Sequence, residues 1–126
     1  MNLRSPLGVV RGLGSSRSGS DHWWLQRVTA VALVPLTVWL VASLVCVAGM
    51  DYAQARAWLA APLNATLAIA LVIALFWHAQ LGVQVVIEDY LHGDGAKIAA
   101  QMLLRFIAAL AGLASVLAIL KIALAG

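Results

Sequence analysis

Charge is what this sequence lacks most. Only 10% of its 126 residues are Asp, Glu, Lys or Arg, against roughly 25% in an ordinary globular chain. A soluble domain of this size has a high surface-to-volume ratio and spends much of its sequence on polar surface. Here 63% of residues are hydrophobic and the mean hydropathy is +0.96, so apolar surroundings have to replace water, and lipid is the natural candidate. Cysteine is nearly absent as well. Cys46 stands alone, which excludes a disulfide framework and a thiol cluster for zinc or iron–sulfur ligation. In its apolar run it reads as a small apolar filler. The net charge of +3 is modest and gathers near the ends of apolar runs, which suits membrane topology and points away from nucleic acid. There is no internal repeat and no segment patterned as a soluble domain.

What the sequence does have is apolar length. Val28 to Gly49 contains no charge, and at ~1.5 Å per residue it reaches about 33 Å, enough to cross the hydrocarbon core. Pro35 lies inside this run, a kinking position that membrane helices tolerate better than soluble ones. Ala65 to Ile87 is also uncharged and carries His78, Gln80 and Gln84. Leu103 to Leu124 has Arg105 and Lys121 near its ends, where long basic side chains extend toward head groups. The predicted fold is an all-α membrane protein with three transmembrane helices, over about 28–49, 65–87 and 103–124, in one anchor domain from 23 to 126.

The remaining segments serve these spans. Residues 1–22 read as a flexible cytoplasmic tail, because their first part is rich in Gly, Ser and Arg with no hydrophobic period. Their Arg-rich, Ser-rich composition, free of acids over residues 1–20, also matches a mitochondrial transit peptide. A bacterial inner membrane is the expected location and the mitochondrial inner membrane the alternative. A secretory signal fits poorly, since the first apolar run begins only after Arg27 and is too long. Asp51 to Pro62 is the first connection, with Tyr52 and Trp58 suited to an interfacial belt, as are Trp23 and Trp24 before the first span. Glu88 to Gly95 is the second, with Gly93 and Gly95 as breakers. Arg4, Arg11, Arg17, Arg27, Lys97 and Arg105 fall on one side of a three-span plan and Arg56 and Lys121 on the other. That imbalance places the N-terminus and the Glu88–Gly95 connection in the cytoplasm.

His78 is the most informative residue. A polar ring near mid-membrane is costly and marks a functional site or a hydrogen bond that glues helices together. At 100° per residue Gly82 lies ~40° from it and Asp89 ~20°. One stripe thus presents an imidazole, a glycine and, at the helix edge, a carboxylate. Gly82 either lets helices approach closely or leaves room for a flat macrocycle on His78, imidazole being a common axial ligand of haem iron. A low-spin membrane b haem takes two histidines. His92 is 14 residues further along, about 21 Å by helical rise, and His22 precedes the first span. A haem on His78 therefore needs its second ligand from another chain, which makes this protein a subunit. Asp89 and Tyr90 read either as a charged helix end with a belt tyrosine, or as a quinone head-group site. Arg27 reads either as a head-group anchor or as the partner of a haem propionate.

The run His78-Ala-Gln-Leu-Gly82-Val-Gln84-Val-Val-Ile-Glu-Asp89-Tyr90 resembles the signature of the hydrophobic membrane anchor subunit of succinate dehydrogenase, respiratory complex II. The segment from Ser18 through Arg27 to Ala30 is similar to the start of that family's first helix. The resemblance covers nearly the whole chain after the tail. It implies that His78 is an axial ligand of haem b, that Gly82 is the close-packing position at the haem, and that Arg27 lies near the propionates. It implies that Tyr90 hydrogen-bonds ubiquinone with Asp89 close by, while Asp21 and His22 take no assignment. It further implies a non-catalytic subunit, partnered by a flavoprotein, an iron–sulfur protein and a cytochrome b anchor that supplies the other histidine. Rival readings are the anchor of a quinol:fumarate reductase, and a small transporter or channel subunit with His78 and Asp89 in a proton path. The latter calls for more ionisable groups at mid-depth than the other two spans possess. A purely structural assembly factor leaves the stripe as coincidence.

Overall fold

The computed structural model describes residue 6 and residues 17–125, which form four helices in this range: α1 (Arg17–Val47), α2 (Tyr52–Ala60), α3 (Pro62–Tyr90) and α4 (Asp94–Leu124). There is no strand among the described residues. Three segments, Asp21–Val47, Pro62–Tyr90 and Asp94–Leu124, are long and apolar enough to cross a membrane. Helix suits this environment because hydrocarbon offers no partner to main-chain N–H and C=O groups, so each segment must satisfy its own. The all-α, three-span expectation is met.

The helices extend beyond the apolar runs. α1 begins well before Val28, and α4 begins at Asp94, ahead of Leu103. The backbone pairing that the core requires continues outward past the apolar residues, in α4 through the helix formers Ala96 and Lys97. His22, Trp23 and Trp24, expected ahead of the first helix, are inside α1. Residues 17–22 of the expected tail are helical too, while the rest of that tail except residue 6, Arg4 and Arg11 among it, lies outside the described residues. α1 runs through Pro35 without a break.

The first connection is itself largely helical. Asp51 caps α2 by accepting from the Gln54 N–H at 2.8 Å, and the Gln54 side chain accepts from the Asp51 N–H at 3.1 Å. This reciprocal box satisfies two donors that a nine-residue helix would otherwise leave unpaired. Trp58 stacks on Trp39 of α1 with centroids 5.9 Å apart, so it braces α2 against α1 as well as suiting a belt. Ala61 is extended and Pro62 opens α3, as a residue before proline and a first-turn proline should be.

α3 is the central helix, and its principal contacts are with α4 and α1. The less exposed residues of α1 recur as His22, Gln26, Thr29, Leu33, Leu36, Leu40 and Ser43, alternating steps of four and three like the seam of a left-handed bundle. α4 presents Ala108, Ala111, Gly112 and Ser115 among its half-buried positions. Gly112 lies against Phe76 of α3, where an added Cβ would stand 3.9 Å from the ring and its Cβ. Small residues let helices approach closely where lipid gives no hydrophobic drive to associate. Among the described residues only Ala65, Leu71 and Leu81 are buried hydrophobics, and the outward faces of α1 and α4 are rows of exposed Val, Leu and Ile. The apolar surface faces outward, the inverse of a soluble protein.

Candidate functional site

The site forms where the polar start of the α1 seam meets the second half of α3. His78 is half-buried near the middle of α3. Its Nδ1 lies 3.0 Å from the Thr29 hydroxyl oxygen on α1. Thr29 is one of two buried polar residues among the described residues, 8% exposed, and its hydroxyl also lies 2.8 Å from the Leu25 carbonyl oxygen and 3.1 Å from that of Gln26. The imidazole Nε2 of His78 has no hydrogen-bond partner among the described residues.

Further toward the start of α1, His22 Nε2 lies 3.3 Å from the Leu81 carbonyl oxygen of α3. His22 is thus inside the first helix and docked on α3, not ahead of it. Between His22 and Thr29 on the same face, Gln26 Oε1 is buried and unpartnered among the described residues. The polar end of the seam is therefore two-thirds satisfied within this chain, and a buried acceptor without a partner is costly in hydrocarbon.

Gly82 faces open space among the described residues: an added Cβ would meet no heavy atom of a neighbouring helix within 4 Å. Close approach between this chain's own helices is consequently not its use, in contrast to Gly112. The His78–Gly82 stripe turns toward open space beside the α1 contact. Asp89 and Tyr90 occupy the last turn of α3, both exposed, with Tyr90 at 76%. Nearby, Glu88 Oε1 accepts from Gln84 Nε2 at 3.3 Å and from Gln101 Nε2 at 3.5 Å, the second bond tying this end of α3 to α4.

Arg27 is exposed on α1, its guanidinium 5.5 Å from the Trp23 ring centroid, and Trp23 stacks on Trp24 at 5.9 Å. Two residues before Thr29, it lies about 200° around the helix from it, so it is not brought against His78. His92 is exposed in the α3–α4 connection, away from His78. Among the described residues no three His, Cys, Asp or Glu side chains converge as a metal cage. The structure thus joins His78 to Thr29 and leaves Arg27, Asp89 and Tyr90 on outward-facing surface. Thr29 and Gln26 are the residues that motif reading passed over, and His22 was weighed there and left unassigned; their common steps of four and three, polar on an otherwise apolar helix, were the available signal.

Comparison with known proteins gives a consistent relationship. Residues 1–112 match the family model described as succinate dehydrogenase/fumarate reductase transmembrane subunit. The chain is 38% identical over 90 residues to the succinate dehydrogenase hydrophobic membrane anchor subunit of Rickettsia bellii, covering 71% of this chain and 72% of that protein. It is 32% identical over 96 residues to the succinate dehydrogenase membrane anchor subunit of Reclinomonas americana, covering 74% and 80%. With the hydrophobic membrane anchor subunit of Paracoccus denitrificans it shares 31% over 99 residues, covering 79% and 77%. No solved structure matches it.

Proposed function

The chain belongs to the succinate dehydrogenase/fumarate reductase transmembrane subunit family, and from that premise we propose that it anchors a succinate dehydrogenase, shares a haem b through His78, and completes a ubiquinone pocket with Tyr90 and Asp89. The observation that carries this reading is the state of His78: a mid-membrane imidazole held on one nitrogen by α1, with no partner for the other among the described residues. The residues fit a haem in two respects. An unengaged Nε2 is a ligand-ready donor, and the open space at Gly82 is what a flat macrocycle beside His78 needs.

Bound there, haem supplies a one-electron store within the membrane. Each residue of the chain then has a physical task. His78 would hold the iron through Nε2, and the cytochrome b anchor subunit would supply the other imidazole. Gly82 keeps the macrocycle's space clear. Arg27, exposed beside Trp23, would pair with a propionate carboxylate at the same end of the bundle. The Tyr90 hydroxyl donates to a quinone oxygen, and Asp89 holds that phenol or a water that delivers the proton. The chain performs no bond chemistry alone. Its outward apolar faces dock in lipid and against the partner anchor, and its Tyr90 end, cytoplasmic by the distribution of basic residues, meets the iron–sulfur and flavoprotein subunits. Succinate oxidation is favoured over fumarate reduction by the names of the relatives.

The test is a reduced-minus-oxidised visible spectrum of the complex purified through a tag on this chain, with and without His78→Leu. A b-type signal that is lost or altered in the variant is expected. An intact complex with no haem signal would remove the central role given to His78.

A further inference from the structure

Thr29 has one proton and three neighbours. Its oxygen lies 2.8 Å from the Leu25 carbonyl, 3.1 Å from the Gln26 carbonyl and 3.0 Å from His78 Nδ1. Carbonyl oxygens only accept, so the hydroxyl proton belongs to them, in the back-bond that threonine commonly makes within a helix. With the hydroxyl proton on the back-bond, the tautomer that closes the remaining short contact is the one protonated on Nδ1. His78 Nδ1–H donates to the Thr29 oxygen, and Nε2 keeps its lone pair.

We propose that Thr29 is a positioning residue for the haem ligand: its hydroxyl oxygen, buried in the α1–α3 seam, fixes the tautomer and ring plane of His78 so that Nε2 is presented to iron. This rests on the haem reading of the preceding subsection. The physics is that of an outer-shell partner to a metal-bound histidine, which orients the ring and raises its basicity. Two features make Thr29 effective here. The hydroxyl is pinned to its own helix by the back-bonds, so its lone pair is aimed and cannot swing away. The Thr29 end of the contact is also buried in the α1–α3 seam, where a hydrogen bond is less screened than in water.

The direction of the effect follows. A donated Nδ1–H pushes electron density toward Nε2 and stabilises ferric over ferrous iron. Removing the acceptor should therefore raise the haem midpoint potential, and loosening the ring should change the ferric EPR signature. An effect of about tenfold on the ferric-to-ferrous binding ratio corresponds to ~59 mV for a one-electron couple.

The experiment uses the whole complex, purified through this chain, carrying Thr29→Val or Thr29→Ser. Redox titration of the haem absorbance and low-temperature EPR are the readouts. Thr29→Val keeps the shape and deletes the acceptor, and is expected to raise the potential and alter the EPR signal or lose part of the haem. Thr29→Ser retains the hydroxyl and should stay close to the unmodified complex. Thr29→Ala carries the same expectation as valine should that variant not assemble. An unchanged potential and EPR signal in Thr29→Val overturns the proposal. A serine variant shifted as far as the valine one overturns it equally, because packing of the methyl would then be responsible. Haem retained unchanged after His78→Leu is a different failure: it strikes the haem assignment itself and not Thr29.

Discussion

At the scale of single residues, the chain separates two kinds of polar group. His78 and Thr29 are turned inward and hold one another, whereas Arg27, Asp89 and Tyr90 face outward. Outward polar groups at the end of a membrane helix are ready for partners or for a quinone arriving from the lipid. Tyr90 can be tested alone. Tyr90→Phe deletes one hydroxyl while keeping the ring, and losing one hydrogen bond to the substrate is worth about 1.4 kcal/mol, near tenfold in rate. Succinate:quinone activity should fall by about that factor, with haem content and reduction of an artificial acceptor unaffected. Normal quinone kinetics in the variant would end the assignment. His78 was legible in the sequence because a histidine in an uncharged run is conspicuous. Thr29 was not, because a threonine in a membrane helix commonly bonds its own carbonyls and so attracts no question until a second helix is seen against it.

At the scale of helices, the two glycines near the α3 interfaces do opposite things. Gly112 meets Phe76 across the α3–α4 contact, while Gly82 faces open space on the His78 stripe. Gly82→Leu should therefore leave the three-helix packing of this chain unchanged, as read by circular dichroism of the purified protein. The same variant in the complex should lose its haem absorbance, because the isobutyl group would fill the macrocycle's space. Full haem in that variant would show the space to be unused. The expected stripe of His78, Gly82 and Asp89 came from helical period alone. Which side of α3 is covered by α1, and which is not, depends on contacts between segments far apart in the chain. α2 was unread for another reason: its nine residues are too few and too mixed to show a period, and its cap depends on Asp51 and Gln54 bonding reciprocally.

The whole molecule has little interior. Its buried hydrophobics are few and its three spans are almost entirely exposed along their most apolar windows, which is how a chain looks when its solvent is lipid and its neighbours are other subunits. Extraction should need detergent, with salt or alkaline washing leaving it in the membrane. The proposed topology carries its own check. Six basic residues against two predict that, with Cys46 replaced by alanine, a cysteine placed in the α3–α4 connection reacts with a membrane-impermeant thiol reagent only from the cytoplasmic side, and one at Tyr52 only from the opposite side. The reverse labelling pattern would invert the orientation and move the Tyr90 end away from the soluble subunits.

Membrane class, span number and the identity of the histidine follow from composition and local order. Hydrophobic length, charge scarcity and a fixed helical period are properties of consecutive residues, so no packing is needed to read them. Helix ends were less legible, since backbone pairing continues past the last apolar residue until a cap or breaker stops it, as at Tyr90, where Leu91 turns extended. The Thr29–His78 contact, the docking of His22 on Leu81 and the open face of Gly82 were settled by how α1 and α4 pack on α3. Rotating α1 by one residue would turn Thr29 through ~100° and away from the imidazole. Nothing within either segment specifies that register; it is set by the seam between them, and so it belongs to the folded molecule.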